Sequence, residues 1–207
     1  MHSTTHDLFI ILAINLVAAS PFLAFLLERR GFFGDRVRLV TVGQALAIPL
    51  GVGSMATGAV HLSALPLYTA QGAPVTLLYI GGGLFQLAWG YAWLRRPSYS
   101  RARIGAIGHV VMFVAWLVSR ATGLPFGEHA NVPELVGIAD SFAAMFAGTV
   151  ALGLFLTLWP PTRELLESRR LPPESASLGV LMAMVVTAML TVFAIVSGMP
   201  EAVAHAH

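Results

Sequence analysis

A bundle of six transmembrane helices is the fold this sequence predicts, and three observations predict it. Hydrophobic residues fill 57% of the 207 positions, against roughly 45–50% in an ordinary soluble domain. Only 11% of the residues are charged, and the mean hydropathy is +0.77. The apolar residues also form continuous runs near the ~20 residues that a membrane-crossing helix needs. They do not show the alternation of a barrel strand.

In chain order the runs fall at about 8–28, 39–62, 74–95, 104–121, 134–159 and 178–199. They use most of the chain, so residues 1–207 read as a single transmembrane domain. The amino-terminal MHSTTHD has no cationic n-region, and the apolar run after it continues through PFLAFLL. That pattern predicts a retained first helix rather than a cleaved signal peptide. Pro21 and Pro49 fall inside spans and are expected to kink them. The segment WPPTRELLESRRLPPES, residues 159–175, is polar and Pro-bounded, with room for a short interfacial helix.

Charge sets the topology. The chain has no lysine, and its arginines cluster in alternate loops. Arg29, Arg30, Arg36 and Arg38 follow the first span. Arg95, Arg96, Arg101 and Arg103 follow the third, and Arg163, Arg169 and Arg170 follow the fifth. The other connections hold only Arg120. By the positive-inside rule the arginine loops are cytoplasmic and both termini lie outside. The net charge of +2 therefore speaks for topology and not for a nucleic-acid partner. The chain has no cysteine, which excludes disulfides, thiolate metal sites, iron–sulfur clusters and thiol catalysis.

Within the spans, polar residues recur on faces of small residues that let helices approach closely. The second span carries Ala47, Gly51, Ser54, Gly58 and His61, and the third carries Gly83, Gln86 and Gly90. The fourth carries Gly105, His109, Met112, Trp116 and Arg120. The fifth carries Gly137, Asp140, Ala144, Gly148 and Ala151. At ~1.5 Å rise per residue, Asn15 and Asp140 lie ~10 Å inside the outer boundary and His61 ~6 Å inside it. Arg120 and Glu134 flank the same boundary. The spacing thus predicts an outer cluster of Asn15, His61, Arg120, Glu134 and Asp140. A weaker inner group holds Gln44 and His109, with Gln86 nearer the middle.

Each of these residues has a bland reading beside a functional one. His61 suits a proton carrier or a metal ligand, and equally an interhelical hydrogen bond. Asp140 inside a span is a functional candidate by default, yet an ion pair with Arg120 would account for it. His109 stands alone on its face, which favours a structural role.

Cofactor templates fit poorly. His61 and His109 are offset by ~15 Å along the membrane normal, too far apart for bis-histidine haem b. No CxxCH provides for haem c. His61, Asp140 and Glu134 offer nitrogen and oxygen ligands for a transition metal, but the spacing matches no established motif. Glu128–His129 is only a dipeptide, and the terminal His2, His6, His205 and His207 are spread over two ends. No GxSxG, Walker or kinase signature is present, and the triplet Gly81–Gly83 lies within a span.

The connection between the fourth and fifth spans carries the densest chemistry. In WLVSRATGLPFGEHANVPELVGIAD, residues 116–140, Gly123, Pro125, Gly127 and Pro133 prescribe a defined turn. Pro133–Glu134 reads as a helix start with an acid in its first turn. Arg120 is placed to reach Glu134, Asp140 or backbone carbonyls.

Together with GAVHLSALP at 58–66 and FQLAWG at 85–90, this stretch resembles a group of bacterial multi-pass membrane proteins common in actinobacteria. Those proteins carry an SRTxGLPxG-type segment, an earlier intramembrane His and a Gln between them. The resemblance covers roughly residues 55–145 and departs at Ala121, where the segment has Thr and a hydroxyl for one loop hydrogen bond. It implies a multi-pass helical fold in the bacterial cytoplasmic membrane and a joint role for His61, Gln86, Arg120, Glu134 and Asp140. It implies no activity.

The leading expectation is a non-enzymatic membrane protein that binds or passes a small ligand, metal ion or proton through the outer cluster. A second is an accessory subunit of a respiratory or photosynthetic complex, or a homo-oligomer, in which that cluster only locks the bundle. A third is a membrane redox protein using haem, quinone or copper.

Overall fold

The computed structural model describes residues 41–135, 137–169, 180, 183 and 185–193. The first expected span, most of the last and both chain ends lie outside the described residues, and Asn15 with them. Every regular element among the described residues is helical.

Helix α1 runs Val42–Ser63 and opens with a reciprocal cap. The Thr41 hydroxyl accepts from the Gln44 amide at 3.2 Å, while the Gln44 side chain accepts from the Thr41 amide at 3.3 Å, which satisfies two otherwise orphaned donors. Pro49 sits within this continuous helix. A short helix α2, Leu65–Tyr68, and one 3-10 turn, Thr69–Gln71, lead to α3, Ala73–Arg95. Then come α4, Tyr99–Ala121, α5, Ile138–Leu158, and α6, Pro160–Ser168.

Two starts differ from the sequence expectation. α4 begins at Tyr99 rather than 104, because the Ser98 hydroxyl accepts the Arg101 amide and caps the helix there. Arg101 and Arg103 therefore belong to its first turns. α5 begins at Ile138 rather than 134, so Pro133–Glu134 is not a helix start. The Glu134 amide instead donates to the Ser119 carbonyl at 3.0 Å, which holds the segment against the end of α4. The short helix in the 159–175 segment is α6, which buries none of its residues.

Three helical stretches, Val42–Ser63, Tyr99–Ala121 and Asp140–Leu158, are long and apolar enough to cross a membrane. α3 matches them in length at 23 residues, but its glycines, Gln86 and aromatic residues leave it outside that apolar set. Ile104, Ile107, Val111 and Val114 of α4 are exposed. In water a patch of this kind would drive association; in lipid it is the expected surface. These features mark a membrane protein.

α1 is the central helix: 56% of its apolar window is buried, against 22% for α4. The predicted small-residue faces of α1 and α3 meet. A β-carbon added at Gly58 would stand 2.7 Å from the Gly83 carbonyl oxygen, and one at Gly90 would stand 2.7 Å from that of Gly51. Only glycines permit so close a backbone approach. Toward the arginine-bearing turn, Trp89 and Trp93 stack on each other at 5.4 Å and share a core cluster with Ala47, Leu50, Ala102, Val150 and Leu154. Their indole N–H groups donate to the carbonyls of Arg101 and Ala47. Residues 185–193 pack on the bundle through Phe193, edge-on to Phe142 at 5.7 Å.

The connection over residues 122–135 is a tightly tied cap. Gly123 and Gly127 have φ of +78° and +96°, the Asn131 amide donates to Leu124, and the Glu128 amide donates to Gln71 across the 69–72 turn. At Gly123 a β-carbon would run into the Val132 backbone. Gly123→Ala is therefore expected to cost about 1–3 kcal/mol, read as a lower thermal unfolding midpoint in detergent. An unchanged midpoint would mean that the turn is not held rigid.

Candidate functional site

The polar side chains converge at the end of the bundle where α1 and α4 finish and α3 and α5 begin, away from the turn that carries Arg95–Arg103. Arg120, in the last turn of α4, is the hub. Its Nη1 donates to Glu134 Oε2 at 2.5 Å and its Nη2 to Asp140 Oδ2 at 2.6 Å. The guanidinium is 8% exposed and the carboxylates 21% and 17%, so water screens these pairs only weakly. The Tyr68 hydroxyl donates to the same Asp140 oxygen at 2.8 Å. Burial, and then the Asp140 charge, push the Tyr68 phenol's pKa up, so it remains a donor at neutral pH.

Behind this network, Tyr68 stacks on Tyr79 at 3.8 Å, and Tyr79 lies edge-on to His61 at 5.5 Å. His61, Tyr79, Trp116, Glu134 and Asp140 line a cavity floored by Met112 and the alanines of α4 and α5. It leaves about 40 Å³ open to the centres of water-sized molecules, room for at least one water. Three buried nitrogens near these groups have no hydrogen-bond partner: Trp116 Nε1, Arg120 Nε and Gln86 Nε2. Leaving such donors unmatched costs about 1–3 kcal/mol each. Of the three, Trp116 Nε1 belongs to a residue that lines the cavity, where its N–H could meet an acceptor such as water.

The inner polar residues do not form a separate cluster. His61 Nδ1 lies 2.8 Å from Gln86 Oε1. That oxygen can only accept, so Nδ1 carries the hydrogen and Nε2 of the neutral ring keeps the lone pair. The Ser54 hydroxyl lies 2.8 Å from the Gln86 carbonyl oxygen and 2.9 Å from His109 Nε2. His109 Nδ1 in turn lies 2.8 Å from the Gly105 carbonyl oxygen. Polar groups thus run from the cap down to His109, through α1 and α3.

Of the expected site residues, the structure brings together His61, Gln86, Arg120, Glu134 and Asp140. Glu128 and His129 are exposed on the cap. Among the described residues, no group of three or more His, Asp or Glu side chains is placed to hold a metal ion. For the expected set of His61, Asp140 and Glu134 the physical reason is Arg120, which takes a carboxylate oxygen of each acid. Both ring nitrogens of His109 are engaged within the bundle, so a bis-histidine haem with His61 finds no ligand there.

Sequence reasoning missed Tyr68, Tyr79 and Ser119 around the cavity, and Ser54 below it; Trp116 it placed on the face of Arg120 without a role. Tyr68 follows His61 by seven residues, a spacing that keeps two side chains on one side of a helix. Ser54 was visible only as a small residue in the α1 stripe. Comparison of the chain with protein-family models, with curated proteins and with solved structures gave no match.

Proposed function

We propose that this is a multi-pass membrane protein that holds and passes a proton at the cavity formed by His61, Glu134 and Asp140. The observation that carries the reading is the charge count. One guanidinium bridges two part-buried carboxylates, so with both acids ionised the cluster carries one net negative charge. An uncompensated charge in a membrane bundle is costly, and a single proton neutralises this one. His61 supplies a nitrogen lone pair on the same cavity, and water in the cavity would connect the two. Arg120 fixes the geometry, and the Tyr68 hydroxyl holds the Asp140 oxygen in place.

The proposal includes six spans in the bacterial cytoplasmic membrane with both ends outward, so that the cavity lies in the outer half. Its support is positional: Arg95, Arg96, Arg101, Arg103, Arg163 and Arg169 lie at one end of the bundle, and among the described residues the opposite end holds only Arg120. The likeness to bacterial membrane proteins with an SRTxGLPxG-type segment is part of the same proposal.

The test is proton flux into liposomes that contain the reconstituted protein and a pH-reporting dye, with potassium and valinomycin clamping the voltage. Wild type is expected to collapse an imposed pH gradient, and His61→Ala and Asp140→Asn to slow it at least tenfold. Both variants conducting like wild type would sink the reading and favour a cluster that only locks the bundle, as in an accessory subunit.

A further inference from the structure

His109 and Ser54 carry an unbalanced hydrogen count that the cavity does not use. Both residues are wholly buried. Three contacts run through them: Gly105 O to His109 Nδ1, His109 Nε2 to Ser54 Oγ, and Ser54 Oγ to the Gln86 carbonyl oxygen. Each contact needs one hydrogen, and both carbonyls can only accept. A neutral imidazole and one hydroxyl supply two hydrogens for three contacts. With the ring hydrogen on Nδ1, the Ser54 hydrogen has two acceptors to serve; with it on Nε2, the Gly105 contact has none, so one contact is always left without a hydrogen.

A third hydrogen completes the set. With a proton on Nε2, the ring donates to Gly105 through Nδ1 and to Ser54 through Nε2, and the Ser54 hydrogen goes to Gln86. We propose that His109 and Ser54 form an internal proton station, reached from the outer cavity and sealed on its other side by the stacked tryptophans. The inference rests on the proton-passing reading of that cavity.

Its position suits the role. Met112 lines the cavity and lies three residues from His109 on α4, so the station is ~5 Å further along the bundle. The step is a simple transfer. The Ser54 hydroxyl gives its hydrogen to Nε2 across the 2.9 Å contact and takes a hydrogen from a hydronium arriving from the cavity, whose electron pair stays on the water oxygen; the reverse step releases it.

The surroundings favour brief rather than lasting occupancy. From α1 the ring meets Ser54, and His61 of the same helix is the titratable group whose charge reaches it. From α3 it meets Phe85 and Trp89, centred 5.9 and 5.1 Å away. The single ionisable side chain of α5 is Asp140, at that helix's cavity end. No carboxylate among the described residues is set to trap the charge.

The test combines the liposome flux assay with nitrogen-15 spectra of histidine-labelled protein in bilayers. Ser54→Ala exchanges one small buried side chain for another and preserves the fold. It is expected to slow flux at least tenfold and to move the His109 Nε2 signal to that of an unbonded nitrogen. His109→Gln is expected to slow flux equally; should it fail to fold, Ser54→Ala decides alone. A wild type that passes no protons removes the cavity reading and this one with it. A wild type that conducts, is stopped by His61→Ala, and is unaffected by Ser54→Ala overturns the station alone.

Discussion

Replacing Arg120 by Met is expected to cost the bundle about 3–5 kcal/mol, because it leaves two part-buried carboxylates without their counter-ion. The size follows from exposure. Exposed ion pairs contribute little, but here the guanidinium is 8% exposed and spans two acids at 2.5 and 2.6 Å. The loss would come from the stranded charges and not from the broken bonds themselves. A second set of variants separates the two. Arg120→Met combined with Glu134→Gln and Asp140→Asn removes the charge with its partners, and should recover most of the loss. The measurement is the unfolding midpoint in detergent, followed by tryptophan fluorescence. A single substitution as stable as wild type would mean that water enters the cluster freely. A triple variant no better than the single one would mean that Arg120 matters for packing through its aliphatic stem.

The ion-pair cluster was legible in the sequence because charge is scarce. Arg120, Glu134 and Asp140 stand out of apolar surroundings, and the turn residues between them limit how far apart they can lie. Three apolar helices, Val42–Ser63, Tyr99–Ala121 and Asp140–Leu158, were legible by run length, and the Gly51, Gly58, Gly83 and Gly90 pattern by its helical spacing. Local competition hid the rest. Arg101 and Arg103 looked like loop because they are charged, but a Ser three residues before Arg101 caps a helix more strongly than two arginines oppose it. Pro133–Glu134 had every mark of a helix start, yet Glu134 bonds the Ser119 carbonyl and the Arg120 guanidinium outside any helix. No local pattern announces such a tertiary bond. The polar route from His61 to His109 was hidden for a different reason. It passes through Ser54, which reads as a spacer in a small-residue stripe, and through the Gln86 backbone, which has no sequence signature.

That route depends on how closely α1 and α3 approach, and glycine substitutions test the dependence directly. Gly58→Ala is expected to destabilise the protein by about 1–3 kcal/mol, the range for overpacking a tight interior. The new methyl group would stand 2.7 Å from the Gly83 carbonyl oxygen, 3.0 Å from Leu87 Cγ and 3.2 Å from Gln86 Cβ. Leu87 can swing away, but the carbonyl belongs to a helix backbone and can retreat only if α3 moves. Any such movement lengthens the 2.8 Å contacts of Gln86 with His61 and Ser54, so Gly58→Ala should slow proton flux along with lowering stability. Gly81 is the matched control. It lies on the same α3 helix, in the same glycine triplet as Gly83, and a β-carbon there meets nothing within 4 Å. Gly81→Ala should be neutral or stabilising by up to about 1 kcal/mol through reduced freedom of the unfolded chain, with flux unchanged. If both substitutions behave alike, glycine content matters here only as helix propensity and the close approach of α1 and α3 does not set the geometry. If only Gly58→Ala loses stability and flux, the same contact that packs the bundle also holds the hydrogen-bonded route in register.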